Sequence, residues 1–270
     1  MSSRMLLVIF KEIIKYFLIG FLCLLMLFPL YYLLLQSLMS TNSLINNRTF
    51  LVIEEWNWVN FATAFKSNFL RAFGWTLLFA TILILIRLII YSLAIAGILR
   101  MNAKYQKVFL YFFLVISLIP EFSIFLSLKT VLLTFNLDET PIAFVTNAIF
   151  SFFNFTYIFN LAKSISDKKN KTMLNDNLKP MDKLIYVYLP KMKLGYMLLI
   201  VFSFISVWND YLWPQFLFST NYTNISIWYL TLGQDRQASL LNVQAAGAFI
   251  SIVIPLIIYF IFSKKISRFN

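Results

Sequence analysis

Long runs of apolar residues recur six times along this chain. They lie at about 13–38, 73–99, 108–134, 140–162, 194–219 and 243–262. A helix needs about 20 mainly apolar residues to cross the roughly 30 Å hydrocarbon layer of a membrane, and each run is long enough. The sequence therefore predicts an all-α integral membrane protein with six transmembrane helices.

Two of these runs have features that refine the prediction. Pro120 divides the third run, so this span could end near residue 120 and be followed by a short helix at the outer surface. The first run follows Arg4 and Lys11, as a secretory signal would. It exceeds the length of a typical signal core and lacks a small-residue cleavage site, which predicts an uncleaved first span.

Composition agrees with a membrane protein and excludes several kinds of chemistry. Hydrophobic residues make up 60% of the chain and charged residues 13%, whereas soluble domains are about a quarter charged. The chain has no histidine and a single cysteine, so imidazole-based proton transfer and metal sites built from His or Cys clusters are excluded. We expect no metal and no cofactor bound by this chain.

The distribution of lysine and arginine predicts the orientation in the membrane. If both termini lie on one side, 17 cations fall on that side and only Arg48, Lys66, Arg71 and Arg236 on the other. The positive-inside rule then places both termini and the loop 163–193 in the cytoplasm. Anionic lipid headgroups can attract these cations, and their division among several loops argues against a nucleic-acid partner.

The segment 40–72 is the one long external piece that this topology predicts. Residues 1–72 would thus form a first span plus an external segment, and 73–270 the core. Trp56 and Trp58 of the external segment are typical of anchors at the membrane interface, with a binding role as the alternative.

The loop 163–193 contains eight lysines and a pattern more specific than that of a solvated linker. Asp176 and Asn177 belong to a turn cluster. Pro180 and Asp182 suit the first turn of a helix, and Pro190 would end it. Four apolar residues at helical spacing then predict one face that suits a groove on another protein: Met181, Leu184, Ile185 and Tyr188.

Polar residues inside the apolar runs mark candidate functional positions, because they are costly in lipid unless they find partners or line a pathway. Trp208, Asn209, Asp210 and Tyr211 lie in the fifth run, just before Pro214. Asn209 and Asp210 are predicted to line a route, and the rings of Trp208, Tyr211 and Trp213 could stack on sugars. An aromatic belt is the equal alternative for Trp213.

Arg87 lies near the middle of the second run. We expect it to face the bundle interior and to pair with an anion, either Glu121 or Asp210, or to line a polar pathway; snorkelling is the alternative. Such a pair could be purely structural.

A lysine-rich loop that ends in Leu189-Pro190, followed by a span with Trp208-Asn209-Asp210, resembles the permease subunits of binding-protein-dependent ABC importers. The closest branch is that of the maltose- and glycerol-phosphate-type permeases. The family's coupling segment reads Glu-Ala-Ala, three residues, Gly, nine residues and Ile-x-Leu-Pro. Here Lys171-Thr172-Met173 stand at Glu-Ala-Ala, Asn177 at Gly and Val187 at Ile. The resemblance covers about 60–265.

This resemblance implies a type I ABC importer permease-like bundle that imports a sugar, polyol or glycerol phosphate. It implies a second permease subunit, an ABC ATPase dimer that binds the ATP, and an extracellular substrate-binding lipoprotein. Asp176, Asn177, Leu189 and Pro190 would then belong to the ATPase-coupling segment, together with the apolar face of the loop helix.

Two other functions compete with this interpretation. A membrane-embedded enzyme is disfavoured because the chain lacks histidine, an Asp pair at helical spacing and a Gly-x-Ser-x-Gly stretch. A stand-alone transporter or channel would need its own internal or oligomeric symmetry. The chain has no Gly-rich phosphate loop, so an importer would need ATP hydrolysis from a partner.

Overall fold

The computed structural model describes residues 3–46, 51–218, 221–235 and 238–266. The first half contains α1 (Ser3–Leu38), α2 (Thr41–Ile45), α3 (Val59–Lys66), α4 (Phe69–Ile98), α5 (Ala103–Ser117), α6 (Glu121–Thr134) and a 3-10 helix (Ala143–Ala148). The second half contains α7 (Phe152–Asn175), α8 (Pro180–Asp182), a π-helix (Lys183–Tyr188), α9 (Leu189–Lys191), α10 (Lys193–Asn209), α11 (Leu212–Leu217), α12 (Ile225–Thr231), β1 (Gln234–Asp235), β2 (Ala238–Ser239) and α13 (Leu241–Ile266).

Helices dominate the described residues, as the apolar runs predict; β1 and β2 form a small antiparallel pair. Three helices are long and apolar enough to cross a membrane: Val8–Leu38 of α1, all of α4, and Leu241–Ile261 of α13. Two bent pairs raise the number to five if each pair forms one span. Among the residues described, six spans are therefore not confirmed.

The fourth apolar run accounts for the difference. Its first part forms the 3-10 helix Ala143–Ala148, and α7 starts only at Phe152 and continues to Asn175. Pro141 lacks a backbone donor, and Ser151 Oγ accepts from Asn154 N at 3.5 Å just before α7 begins, which disfavours one continuous helix through this run.

The third run is divided at Pro120, as predicted. α5 ends at Ser117, Pro120 is the N-cap of α6, and the two helices are bent by 93°. A proline has no N–H to continue the hydrogen bonds of a helix, but it is tolerated where a new helix begins. The placement of α6 at the outer surface stays a prediction.

The chain divides into two compact units, one of residues 1–69 and 228–257 and one of residues 70–227 and 258–270. In the first unit, residues 8–31 of α1 are exposed along their length, as expected for a helix whose solvent is lipid. The end of α1 is held by amides. Asn60 Nδ2 donates to Ser37 O and Met39 O, both at 2.9 Å, and Asn242 Nδ2 donates to Met39 O at 3.1 Å.

The external segment of the same unit is largely irregular before α3. Glu55 accepts hydrogen bonds from Ser40 N and Ser43 Oγ, both at 2.6 Å, and so holds the start of α2. Trp56 and Trp58 are exposed, with ring centroids 6.0 Å apart. Arg48 and Arg236 of the predicted external side lie outside the described residues, as does Arg268 of the predicted cytoplasmic side.

The second unit contains two apolar cores. One joins the first half of α4 to α6, the 3-10 helix and α11, where Phe79 stacks on Phe144 at 4.6 Å between centroids. The other joins the second half of α4 to α5, α7 and α10, where Tyr91 meets Phe155 edge to face at 5.4 Å.

Candidate functional site: a polar cavity and a lysine-rich loop

The helix that carries Asn209 and Asp210 stops where these polar residues begin. α10 ends at Asn209, Asp210 has extended backbone, and α11 starts at Leu212. Asp210 Oδ1 accepts a hydrogen bond of 3.4 Å from Trp213 N, and Asn224 Nδ2 donates to Asp210 O. These bonds satisfy backbone groups that the interruption frees, as a break at membrane depth requires.

A cavity of about 830 Å³ opens beside this break. Its walls come from α4, α10, the α5–α6 junction and the segment around the 3-10 helix. Ile116, Ile124 and Leu128 form part of its apolar wall. The polar part of the wall includes Glu121, Thr146, Asn147, Ser206, Asn209 and Asp210. The structure thus brings both predicted route residues, Asn209 and Asp210, to one cavity.

Arg87 also lines this cavity, but the prediction of an ion pair is wrong. Its Nε donates to Ala148 O at 3.0 Å, Nη2 donates to the same oxygen, and Nη1 donates to Ser203 Oγ at 2.8 Å. The Lys15–Glu12 pair is the sole salt bridge in the described part of the chain. The carbonyls of Ala148 and Ile149, at the end of the 3-10 helix, accept no helical hydrogen bond. They accept from the guanidinium in place of the expected anion.

Tyr91 supports the same irregular segment, and sequence reasoning missed it. Its hydroxyl donates to Ile149 O at 3.0 Å and accepts from Ser151 N at 2.7 Å. Tyr91 follows Arg87 by four residues, so the two side chains lie on one face of α4. That spacing is the signal that could have found it.

Asn147 was also missed. Its Nδ2 donates to Asp210 Oδ2 at 3.0 Å, and its Oδ1 is buried without a hydrogen-bond partner in the described structure. An Asn inside an apolar run is the same signal that identified Asn209, because an amide in lipid is costly unless it is paired.

The three aromatic residues near the break do not share one role. Trp208 is 2% exposed and meets Phe73 edge to face at 6.1 Å, and Trp213 is fully buried and donates from Nε1 to Ala143 O at 2.8 Å. Neither ring has a free face for a sugar, and Trp213 is not an interfacial belt residue. Burying these large apolar rings among the helices is more favourable than leaving them exposed at the cavity wall. Tyr211 remains partly exposed.

The lysine-rich loop 163–193 begins as predicted. α7 ends at Asn175, and Asn177 has a φ of +46°, the left-handed conformation that asparagine tolerates. Asp182 Oδ2 accepts a hydrogen bond of 3.3 Å from Lys179 N, reaching back to the start of α8. Asp176 and Asn177 are exposed.

The predicted apolar face of this loop is wrong in part. Residues 183–188 form a π-helix, whose wider turns change which side chains share a face. Tyr188 is buried and Leu184 packs with it in the second core, whereas Met181, Ile185 and Leu189 are exposed. Pro190 does not end the helix, which continues to Lys191 before a bend of 73° into α10.

Comparisons with known proteins agree on one family. Residues 89–268 match the binding-protein-dependent transport system inner membrane component family. A probable ABC transporter permease protein of Mycoplasma genitalium is 24% identical, over 96% of this chain and 86% of its own length. A homologue in Mycoplasma pneumoniae is 25% identical, over 99% of this chain and 88% of its own.

A solved structure confirms the fold. It is the crystal structure of a bacterial ABC transporter involved in the import of the acidic polysaccharide alginate. The match has a TM-score of 0.78 and covers 98% of both chains at 20% sequence identity. The fold is therefore that of a type I ABC importer permease. The family match spans well over half of the sequence, and this chain belongs to the binding-protein-dependent inner membrane components of ABC importers.

Proposed function

We propose that the cavity beside Asp210 is part of the route through which this permease imports a sugar, a related polyol or a glycerol phosphate. The observation that carries the proposal is the polar wall inside otherwise apolar helices. Asn147, Asn209 and Asp210 line one cavity. It lies beside the break between α10 and α11 and beside the irregular segment before α7. Polar groups in lipid are costly, and they are typical of transport pathways.

The wall suits a polyhydroxylated solute better than an apolar one. Amide and hydroxyl groups both donate and accept hydrogen bonds and carboxylates accept them, so the wall can pair with sugar hydroxyls, which do both. Asn147 Oδ1 has no partner in the described structure, so it is available to accept from a solute after a small rotation. The structural relative involved in alginate import supports the carbohydrate class by likeness.

The work of transport comes, in this proposal, from an ABC ATPase dimer that docks on the cytoplasmic loop. Met181, Ile185 and Leu189 present apolar side chains there, at 57%, 47% and 41% exposure. Apolar side chains on a short helix favour insertion into a groove of a partner protein. The chain itself is a transporter membrane component and not an enzyme.

The proposed assembly also contains a second permease subunit and an extracellular substrate-binding lipoprotein, in a bacterial plasma membrane. Both termini lie in the cytoplasm in this arrangement. The helices that span a membrane by length and composition show a multi-pass protein; the charge distribution supports the orientation.

Uptake into vesicles tests the function. The complex that copurifies with the tagged chain is reconstituted with its binding protein outside and ATP inside, and offered a mixture of sugars, polyols and glycerol phosphates. Mass spectrometry of the vesicle contents identifies what accumulates. Asn209→Leu should reduce uptake at least about tenfold, because it replaces a polar wall group with an apolar one.

Gln215→Leu is the matched control, since Gln215 is exposed on α11 and does not line the cavity. It should transport normally. Equal uptake by both variants would show that the cavity is not on the route, and absence of an ATPase from the purified complex would contradict the coupling.

A further inference from the structure

The charged residues of the cavity wall are two acids and one base. Glu121 stands at the start of α6, Asp210 after α10, and Arg87 in the middle of α4. Glu121 and Asp210 line the same cavity wall. Two negative charges and one positive charge leave the wall with an excess of negative charge. Which of the three side chains can also contact a solute directly depends on their hydrogen bonds.

Arg87 is not available to a solute. Its side chain is 2% exposed, and its three nitrogens already donate to Ala148 O, Ile149 O and Ser203 Oγ. To bind a phosphate or carboxylate, the guanidinium would have to abandon Ala148 O, which has no other donor among the contacts described. Lys129, the other cation near the cavity, donates to Phe216 O at 3.1 Å and does not line the wall.

The two acids keep their charge available. Glu121 is exposed, and Asp210 receives hydrogen bonds only from neutral groups, Asn147 Nδ2 and Trp213 N. Neither carboxylate has a cation within ion-pair distance in the described part of the chain. Arg87 keeps its own positive charge, but the two negative charges at this wall outnumber it, and low-dielectric walls concentrate the resulting field on whatever enters.

We infer that Glu121 and Asp210 are specificity-determining residues that make this wall select against anionic solutes. The inference rests on the proposed function and narrows it. Neutral sugars and polyols pass this wall, whereas glycerol phosphates and acidic saccharides are repelled by it. The chain thus differs in substrate class from a transporter of an acidic polysaccharide while sharing its fold.

Charged thiol reagents measure this field without knowledge of the natural substrate. Cys23→Ser removes the single cysteine of the sequence, and Ser206→Cys places a thiol on the cavity wall with little change in size. The whole complex in lipid nanodiscs is treated with methanethiosulfonates carrying a cationic, an anionic or a neutral group. Each rate is divided by the rate of the same reagent with free 2-mercaptoethanol.

The cationic reagent should react at least about tenfold faster than the anionic one after this normalisation. A change in the thiol's own acidity cancels from the ratio, because all three reagents attack the same thiolate. Glu121→Gln with Asp210→Asn should bring the ratio close to one and leave the neutral rate unchanged, which also shows that the variant is folded. Glu139→Gln, an exposed acid away from the cavity, should leave the ratio high.

The possible failures are distinguishable. No reaction with the neutral reagent would show that the cavity is closed to water, which overturns the proposed route and the inference together. Ready reaction with the neutral reagent but no preference for the cation overturns the inference alone. A preference that persists in the double variant overturns the assignment to Glu121 and Asp210.

Discussion

Arg87 Nη1 donates a hydrogen bond of 2.8 Å to Ser203 Oγ, and this bond links the middle of α4 to the middle of α10. The same guanidinium holds the carbonyls of Ala148 and Ile149 just before α7. One buried side chain therefore connects three walls of the cavity. The cost of an arginine at membrane depth is offset by satisfying backbone oxygens that would be costly without a donor.

Arg87→Met should destabilise the fold. The change removes the donor of Ala148 O and leaves this carbonyl unpaired, at a cost of roughly 1–3 kcal/mol, whereas Ile149 O keeps the Tyr91 hydroxyl as its donor. Thermal unfolding of the purified protein in detergent would record this as a lower Tm. Arg71→Met is the matched control, because Arg71 is exposed and makes one hydrogen bond of 3.2 Å, to Asn221 O. Equal Tm values for the two variants would contradict the role of Arg87.

Asp210→Asn should preserve the fold, whereas Asp210→Leu should not. An asparagine at 210 can still accept from Trp213 N, and Asn147 can turn its free Oδ1 toward the new amide. Leucine leaves Asn147 Nδ2 and Trp213 N without their acceptor, which costs roughly 1–3 kcal/mol. The Tm of each variant checks this, and similar losses for both would show that charge matters more than hydrogen bonding.

The absence of an Arg87–Asp210 pair also predicts the result of a double-mutant cycle. Arg87→Met with Asp210→Asn should lower stability by the sum of the single effects, within about 0.5 kcal/mol. Rescue of Arg87→Met by Asp210→Asn would indicate that the two charges neutralise each other.

Met181→Asp with Ile185→Asp should release the ATPase. Both side chains are exposed on the loop 163–193, and a carboxylate in an apolar groove loses its hydration without a partner. Recovery of the ATPase with the tagged chain should fall, while insertion into the membrane is unchanged. Leu137→Asp, a similarly exposed leucine in another loop, should keep the ATPase. Full recovery with the double variant would exclude this face as the docking surface.

The features that depend on a single residue's backbone chemistry are predictable from the sequence. Pro120 cannot continue α5, and Asn177 accepts a left-handed turn, so the break and the turn lie where the sequence places them. The side-chain partners were less predictable. Tyr188 is buried because a π-helix precedes Pro190, and an α-helical periodicity cannot represent that wider turn.

The partners of the cavity residues were also difficult to predict from the sequence. Asn209 and Asp210 were identifiable as polar residues in an apolar run, but the partner of Arg87 was not. Carbonyl oxygens carry no sequence signal, and those of Ala148 and Ile149 became acceptors only because the fourth run is interrupted. Such contacts depend on where the fold places backbone groups, and the periodicity of apolar residues in the sequence does not predict that placement.

The orientation of the chain can be tested with two cysteines in a Cys23→Ser background. With 17 cations on one predicted side and four on the other, Lys169 should face the cytoplasm and Asn46 the exterior. Both positions are exposed, so burial within the chain does not protect either thiol. In intact cells, a membrane-impermeant maleimide should label Asn46→Cys and leave Lys169→Cys unlabelled. Lysed cells are the control, since both thiols should then react. Labelling of Lys169→Cys alone in intact cells would invert the topology and place the proposed docking face of Met181 and Ile185 away from any ATPase.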